Sequence, residues 1–205
     1  MVVDGIYYAL GSLAGGVAVA WLTGQSLAAV PFFLFAVFCL YFFRDPDRTV
    51  PEGPVAVSPA DGKVMAVKHE DARTTRVSIF LNIFDVHVNR SPVSGRISEV
   101  AYMKGEFLVA SKERASIKNE QNVVTVETPD GVRLVFKQIA GLIARRIVFR
   151  KSVGDTVSAG ERVGLMKFGS RMDVLFGPEW KIVVQPGQHV SGGSSILAER
   201  VQQPR

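Results

Sequence analysis

Apolar and polar positions divide the chain into two parts. Near its start, "GIYYALGSLAGGVAVAWL" (5–22) and "LAAVPFFLFAVFCLYFF" (27–43) are runs of about 17–18 residues without a charge, close to the lower limit for a helix that crosses a bilayer. Only "TGQS" lies between them, a polar turn that predicts a helical hairpin. Aromatic residues gather toward the ends of the runs (Tyr7, Tyr8, Trp21, Tyr41, Phe42, Phe43), as they do at a membrane–water boundary. The alternative is a pair of buried helices in a soluble core; two adjacent uncharged runs with aromatic ends favour the membrane. The first run makes a poor secretory leader. Asp4 precedes it without any Lys or Arg and a second apolar run follows, although "AVA" at Ala18–Ala20 faintly resembles a cleavage site. Charge resumes at "FFRDPDR", where Arg44 and Arg48 put the following residues on the cytoplasmic side by the positive-inside rule. The pattern predicts a membrane-associated hairpin and juxtamembrane segment over 1–48 and a separate body over 49–205.

In the body the period shortens. "RVSIFLNIFDVHVN" (76–89) alternates in part and is rich in Val, Ile and Phe. "VVTVET" and "VRLVFKQIA" flank Pro129-Asp130-Gly131, a hairpin signal. Beyond residue 50 no long segment has helical periodicity, although "KGEFLVASKERAS" (104–116) suits a short helix. Four stretches echo one another weakly: "SPADGKVMAV", "SPVSGRISEV", "VGDTVSAGERVGLM" and "QPGQHVSGGSSIL" each set Gly in a turn beside Val or Ile runs. Such turns suit compact barrels of the biotinyl and lipoyl type, where Gly supplies a positive φ. The expected fold is mainly β (α+β): a barrel-like or sandwich β body with biotinyl/lipoyl-like turns, preceded by the hydrophobic helical hairpin.

Charge narrows the partners. The net charge is +5, from 24 Lys and Arg against 19 Asp and Glu. A basic body beside a membrane predicts attraction to anionic lipid, at about 1 kcal/mol per surface cation. Nucleic acid is the competing partner, but no recognition helix, aromatic-basic platform or zinc spacing supports it. Cys39, the single cysteine, lies in the second apolar run and excludes an intrachain disulfide and a cysteine-based metal cluster. No histidines stand at ligand spacing, and neither a Walker loop nor a dinucleotide fingerprint occurs, so no metal is expected.

Few residues remain for chemistry. His69 and His189 sit in polar turns, whereas His87 lies inside an apolar strand run beside Asn89 and Arg90. Taken alone, His87 is either a satisfied structural residue or a base. Asp61 in "SPADGKV" is either an Asx-turn residue or a carboxylate that orients a histidine. Gly169-Ser170, in "LMKFGSRMDVLFG", interrupts two strand-like runs, where Gly is normally avoided. It marks either a bulge or a backbone that must be reachable. The order Asp61, His87, Ser170 is compatible with a nucleophile–base–orienter set, which spacing alone does not establish.

The ordered series "FFRDPDR", "SPADGKV", "NIFDVHVNRSPVSG", "KNEQN", "QIAGLIARRIV", "GERVGLMKFGSRMDV" and "GQHVSGGSSILA" resembles the phosphatidylserine decarboxylase family, in its short bacterial and archaeal proenzyme form, over nearly the whole chain. The resemblance implies an inactive chain that cuts itself at Gly169-Ser170 into a large N-terminal and a small C-terminal fragment, which stay together as a heterodimer. Of the other Gly-Ser pairs, Gly11-Ser12 and Gly193-Ser194, neither has the family's flanks. Ser170 would be the nucleophile, His87 its base and Asp61 the orienting carboxylate. Elimination and hydrolysis would turn Ser170 into a pyruvoyl group, the covalent cofactor. Its ketone would form a Schiff base with the serine amine of phosphatidylserine and accept electrons as CO₂ leaves, giving phosphatidylethanolamine. The implied place is the cytoplasmic face of the cell membrane.

Two positions depart from longer relatives. Arg90 stands where those carry a second histidine, and Arg171 follows Ser170 where they have Thr. Arg171 is therefore open between a substrate contact and a surface residue. Arg145, Arg146, Arg150 and Lys151 suit either anionic head groups or a solvated strand end. Two other readings remain. One is a decarboxylase of a related serine phospholipid such as archaetidylserine. The other is a biotinyl/lipoyl-like carrier modified at Lys167.

Overall fold

The computed structural model describes residues 2–142, 146–167 and 170–201. The chain forms two compact units, divided between Asp47 and Arg48. In the first, α1 (Val3–Thr23) ends at Gly24, whose φ of 68° reverses the chain. A 3-10 turn (Ser26–Ala29) leads into α2 (Val30–Phe42), with Pro31 in its first turn, where the missing N–H has no helical partner to lose. The helices pack closely. The Ser12 hydroxyl donates to the Phe32 carbonyl at 2.8 Å, and a Cβ on Gly16 would lie only 2.8 Å from that of Phe32. Outward-facing residues remain apolar, Trp21, Leu22 and Leu27 among the most exposed. Among the described residues one helix, α1, is long and apolar enough to cross a membrane, whereas Ser26–Phe42 is shorter. At 1.5 Å per residue α1 spans about 31 Å, matching a hydrocarbon core of about 30 Å.

The second unit is mainly β, as the turn-rich pattern implies. Its strands are β1 (Val55–Val57), β2 (Gly62–His69), β3 (Thr75–Leu81), β4 (Val88–Arg90), β5 (Gly95–Met103), β6 (Gln121–Glu127) and β7 (Arg133–Ile139). There follow β8 (Ile147–Phe149), β9 (Thr156–Val157), β10 (Arg162–Met166), β11 (Ser170–Phe176), β12 (Trp180–Ile182), β13 (His189–Val190) and β14 (Ile196–Arg200). A curled eight-stranded sheet in the order β13-β2-β3-β11-β7-β6-β5-β9 makes a half-barrel. Two three-stranded sheets, β4-β10-β8 and β1-β14-β12, complete the unit. The Asp130-Gly131 hairpin joins β6 to β7, with Gly131 at φ 81°. The short helix expected over 104–116 is confined to one turn, α3 (Ala115–Lys118). Much of the segment before it is tied as a strap instead, since Glu106 and Lys118 pair through their backbones.

Strand alternation assigns two faces to β11. Met172, Val174 and Phe176 belong to the core with Ile79, Leu81 and Phe136 from the flanking strands. Ser170 has the same parity and so shares the core face. Arg171 and Asp173 point to the opposite face.

Candidate active site

Ser170 opens β11, the strand between β3 and β7, and pairs with Leu81. It is fully buried, and its Oγ has no hydrogen-bond partner among the described residues. A buried hydroxyl normally finds a partner, so an orphaned one calls for an explanation. Gly169 and Phe168 lie outside the described residues, so the bond expected to break is placed only through Ser170.

His87 comes from the turn that follows β3. Within that turn the Asn82 N–H donates to the Asp85 carboxylate at 2.8 Å and the Asp85 N–H to the Asn82 carbonyl at 3.1 Å. The ring is 2 % exposed. Its Nδ1 lies 2.9 Å from the Asp85 carbonyl oxygen. A carbonyl only accepts, so Nδ1 carries the proton there and a neutral ring keeps its lone pair on Nε2. The His87 carbonyl accepts from the Met166 N–H at 3.2 Å. This contact sets His87 beside the strand that leads to the 169–170 bond.

Asp61 stands just before β2. Its neighbour Gly62 has φ 147°, and a Cβ there would lie 2.2 Å from the Phe80 carbonyl oxygen, so only glycine lets β2 approach β3 at this point. One Arg48 nitrogen reaches both Asp61 oxygens, at 3.0 and 2.8 Å, and the Gly192 N–H donates to Oδ1 at 2.7 Å. Gly62 pairs with Val190, and Lys63 with Phe80. Asp61 is thereby set at the same end of the sheet as Ser170, across β3. The Arg90 N–H donates to the Pro59 carbonyl at 2.8 Å, which holds the His87 and Asp61 segments side by side. The structure thus brings the backbones bearing Asp61, His87 and Ser170 to one end of the sheet. It also shows what the sequence did not: the carboxylate of Asp61 is engaged by Arg48 and Gly192, while the Nδ1 of His87 is held by its own turn.

Arg171 is neither exposed nor on the core face. It is fully buried, with Nε 2.6 Å from Asp173, a 2.8 Å bond to the Ser78 hydroxyl and a 3.3 Å bond to the Lys112 carbonyl. Asp173 accepts from the Ser116 hydroxyl at 2.7 Å and lies 3.4 Å from Arg76, which also pairs with Glu70 and Glu113. Sequence reasoning missed this network. Polar residues alternating on β3 and β11 read as a solvent face, and only the strap around 112–116 shows that the face is covered.

The remaining candidates fall elsewhere. Arg90 is buried, and one of its nitrogens donates to the Gly160 carbonyl at 3.0 Å. His69 is exposed against the Thr75 hydroxyl, and His189 is exposed in β13. Arg146 and Arg150 are exposed, Lys151 pairs with Glu161, and Arg145 lies outside the described residues. Lys167 is 8 % exposed. Among the described residues no cluster of His, Cys, Asp and Glu suits a metal ion.

Known proteins resemble this chain along most of its length. The family model for phosphatidylserine decarboxylase matches residues 35–198. A phosphatidylserine decarboxylase proenzyme of Solibacter usitatus (strain Ellin6076) is 65 % identical over 201 residues, covering 98 % of this chain and 97 % of its own length. The proenzyme of that name from Solidesulfovibrio magneticus is 48 % identical over 173 residues, covering 82 % and 81 %. One from Rickettsia felis is 46 % identical over 177 residues, covering 82 % and 77 %.

Proposed function

Since the chain belongs to the phosphatidylserine decarboxylase family, we propose that it is a proenzyme that cuts itself between Gly169 and Ser170 and then converts phosphatidylserine to phosphatidylethanolamine. The observation that carries this reading is the buried, partnerless Oγ of Ser170 at the head of the central strand. A hydroxyl without a competing bond is available to attack the preceding carbonyl.

The family resemblance supplies the roles, and the geometry is compatible with them. Ser170 Oγ adds to the carbonyl carbon of residue 169, and its proton passes to His87 at Nε2, the ring nitrogen that Asp85 does not hold. Collapse breaks the C–N bond, the nitrogen takes the proton back, and the peptide becomes an ester. Loss of the Ser170 α-proton then expels the ester oxygen as the carboxylate of the large fragment. Water replaces nitrogen in the resulting dehydroalanine, releasing ammonia. Asp61 supports the charge that His87 gains from the position in which Arg48 and Gly192 hold it.

Ser170 fits conversion to a pyruvoyl group, because its buried side chain gives up no hydrogen bond when it changes. That ketone would supply an electron sink for loss of CO₂ from the bound serine head group. His87 serves again as the acid that delivers a proton to the product carbon. The two fragments remain a heterodimer, since β11 is clasped between β3 and β7 of the large fragment. The apolar N-terminal unit holds the enzyme at the cytoplasmic face of the membrane, with Arg146 and Arg150 available to anionic head groups. The carrier reading loses its footing on Lys167, since an attachment lysine must stand exposed and this one is buried.

Denatured intact mass tests the proposal. The expected result is a large fragment ending at Gly169 and a partner of 36 residues, about 4 kDa at ordinary residue mass. The small fragment should be lighter than a Ser-initiated one and should gain mass with a carbonyl reagent. A single uncut chain would overturn it.

A further inference from the structure

The two ends of the eight-stranded sheet carry different turns. At the end away from Ser170, residues 70–74 join β2 to β3 and residues 128–131 join β6 to β7, and both runs are largely polar, as turns usually are. At the Ser170 end the pattern is reversed. Leu81, the partner of Ser170, leads within two residues to Ile83 and then Phe84, and Ile139, the partner of Arg171, leads within three to Leu142. β5 reaches the same end at Met103, which pairs with Gln121, itself the partner of Ile139. Phe84 is 63 % exposed and Leu142 53 %, and Ile83 and Met103 are exposed too. Single apolar residues are ordinary on any surface, whereas several at one end of one sheet mark an interaction site.

The turn that carries Phe84 can leave water cheaply. The Asn82 N–H donates to the Asp85 carboxylate, the Phe84 N–H to Asn82 Oδ1 at 2.7 Å and the Asp85 N–H to the Asn82 carbonyl. Burying its apolar tip strands none of these donors. Cations stand at the same end: Lys63 in the first residues of β2, Lys104 next to Met103 and Arg146 four residues after Leu142, all exposed. Of the acidic groups there, Asp85 is engaged within its turn, Glu106 by Lys118 at 3.5 Å, Glu120 by the Tyr102 hydroxyl and Asp61 by Arg48. Apolar tips among unopposed cations fit an anionic lipid surface.

Resting on the reading that the substrate is phosphatidylserine, we propose that this end of the β body docks on the bilayer itself. Ile83, Phe84 and Leu142 enter the boundary between head groups and acyl chains, and Lys63, Lys104 and Arg146 meet anionic head groups. A diacyl lipid keeps its tails in the bilayer and must bring its head group to Ser170. Docking by another face would leave that distance to be crossed in water, against the cost of exposing the tails. The apolar N-terminal unit supplies attachment, and the tips supply orientation.

The test reads depth in the bilayer with the full-length chain. In a Cys39→Ala parent, which has no other cysteine, Phe84→Cys, Leu142→Cys and Val153→Cys each carry one environment-sensitive fluorophore. Val153 is 59 % exposed and precedes β9, which pairs with the first residues of β5 at the far end of the sheet. The vesicles are mixed phosphatidylglycerol and phosphatidylcholine, with a nitroxide quencher on a fraction of the acyl chains. The labels at 84 and 142 should shift to the blue and be quenched, while the label at 153 keeps its emission in water. Melting temperatures report whether each labelled chain folds, and Met103→Cys replaces a position that does not. No quenching at 84 and 142, or equal quenching at all three positions, would overturn docking by this end. A blue shift without vesicles that grows with protein concentration would assign the tips to a second copy of the chain and overturn it as well. Failure of the unsubstituted, unlabelled chain to release CO₂ from phosphatidylserine would overturn the substrate reading instead, and it is read in a separate assay.

Discussion

At the scale of single residues, Ser170 and His87 differ in how they are restrained. Ser170 is fixed by backbone pairing and leaves its hydroxyl unclaimed, whereas the His87 ring is fixed through Nδ1. Ser170→Ala should leave one uncut chain on a denaturing gel. His87→Ala should slow cutting by about 100- to 10,000-fold, the usual weight of a positioned base. Asp61→Asn should slow it less, since Arg48 and Gly192 can still hold an amide oxygen, and a time course of fragment appearance ranks the three. Arg171 makes a different prediction. Arg171→Met takes the nearest cation from the fully buried Asp173, leaving it Ser116 and the more distant Arg76, and breaking a buried pair costs about 3–5 kcal/mol. Denaturant unfolding in a Ser170→Ala background measures that loss separately from cutting.

Among the elements, the strap before and through α3 covers the outer face of β3 and β11, and its hold depends on pH. The hydrogen bond from Arg76 is the main reason why the Glu113 carboxyl lies below its ordinary value of 4.5, outweighing the desolvation that would raise it. A folded value below the unfolded one means stability that is present above pH 4.5 and lost as pH falls through the folded value. Glu113→Gln should therefore flatten the fall in melting temperature below that pH and lower neutral stability by the same amount, a small one because Glu113 is half exposed. A series of thermal melts from about pH 6 down to about pH 3 covers this window.

For the whole molecule, the proposed function gives the apolar hairpin and the β body separate tasks. Phosphatidylserine carries two acyl chains, and each CH₂ moved into water costs about 0.8 kcal/mol, so an enzyme acting on it gains from staying at the bilayer. Removing residues 1–47 should move the protein from the membrane pellet to the supernatant while the chain still cuts at residue 170, because every strand of the sheet lies beyond Asp47. Flotation with vesicles of anionic and neutral lipid, read beside a gel for cutting, checks both halves. Residual binding of the truncated body should fall with salt if Arg146 and Arg150 meet head groups.

Local pattern was enough for several features. The uncharged runs appear as two helices, the Asp130-Gly131 turn as a hairpin, and the period-two stretches as strands, since each depends on neighbours in sequence. The ordered motifs, the Gly-Ser pair and its flanks among them, likewise pointed to the family, because a motif is carried by residues adjacent in sequence. The partners of Asp61 and the burial of Arg171 needed the tertiary structure. Each depends on residues brought together across strands: Asp61 meets Gly192 at a separation of 131 residues and Arg171 meets Ser78 at 93. Alternation along one strand says which side a residue faces, but only the packed fold shows whether that side meets water, a strap or a second sheet.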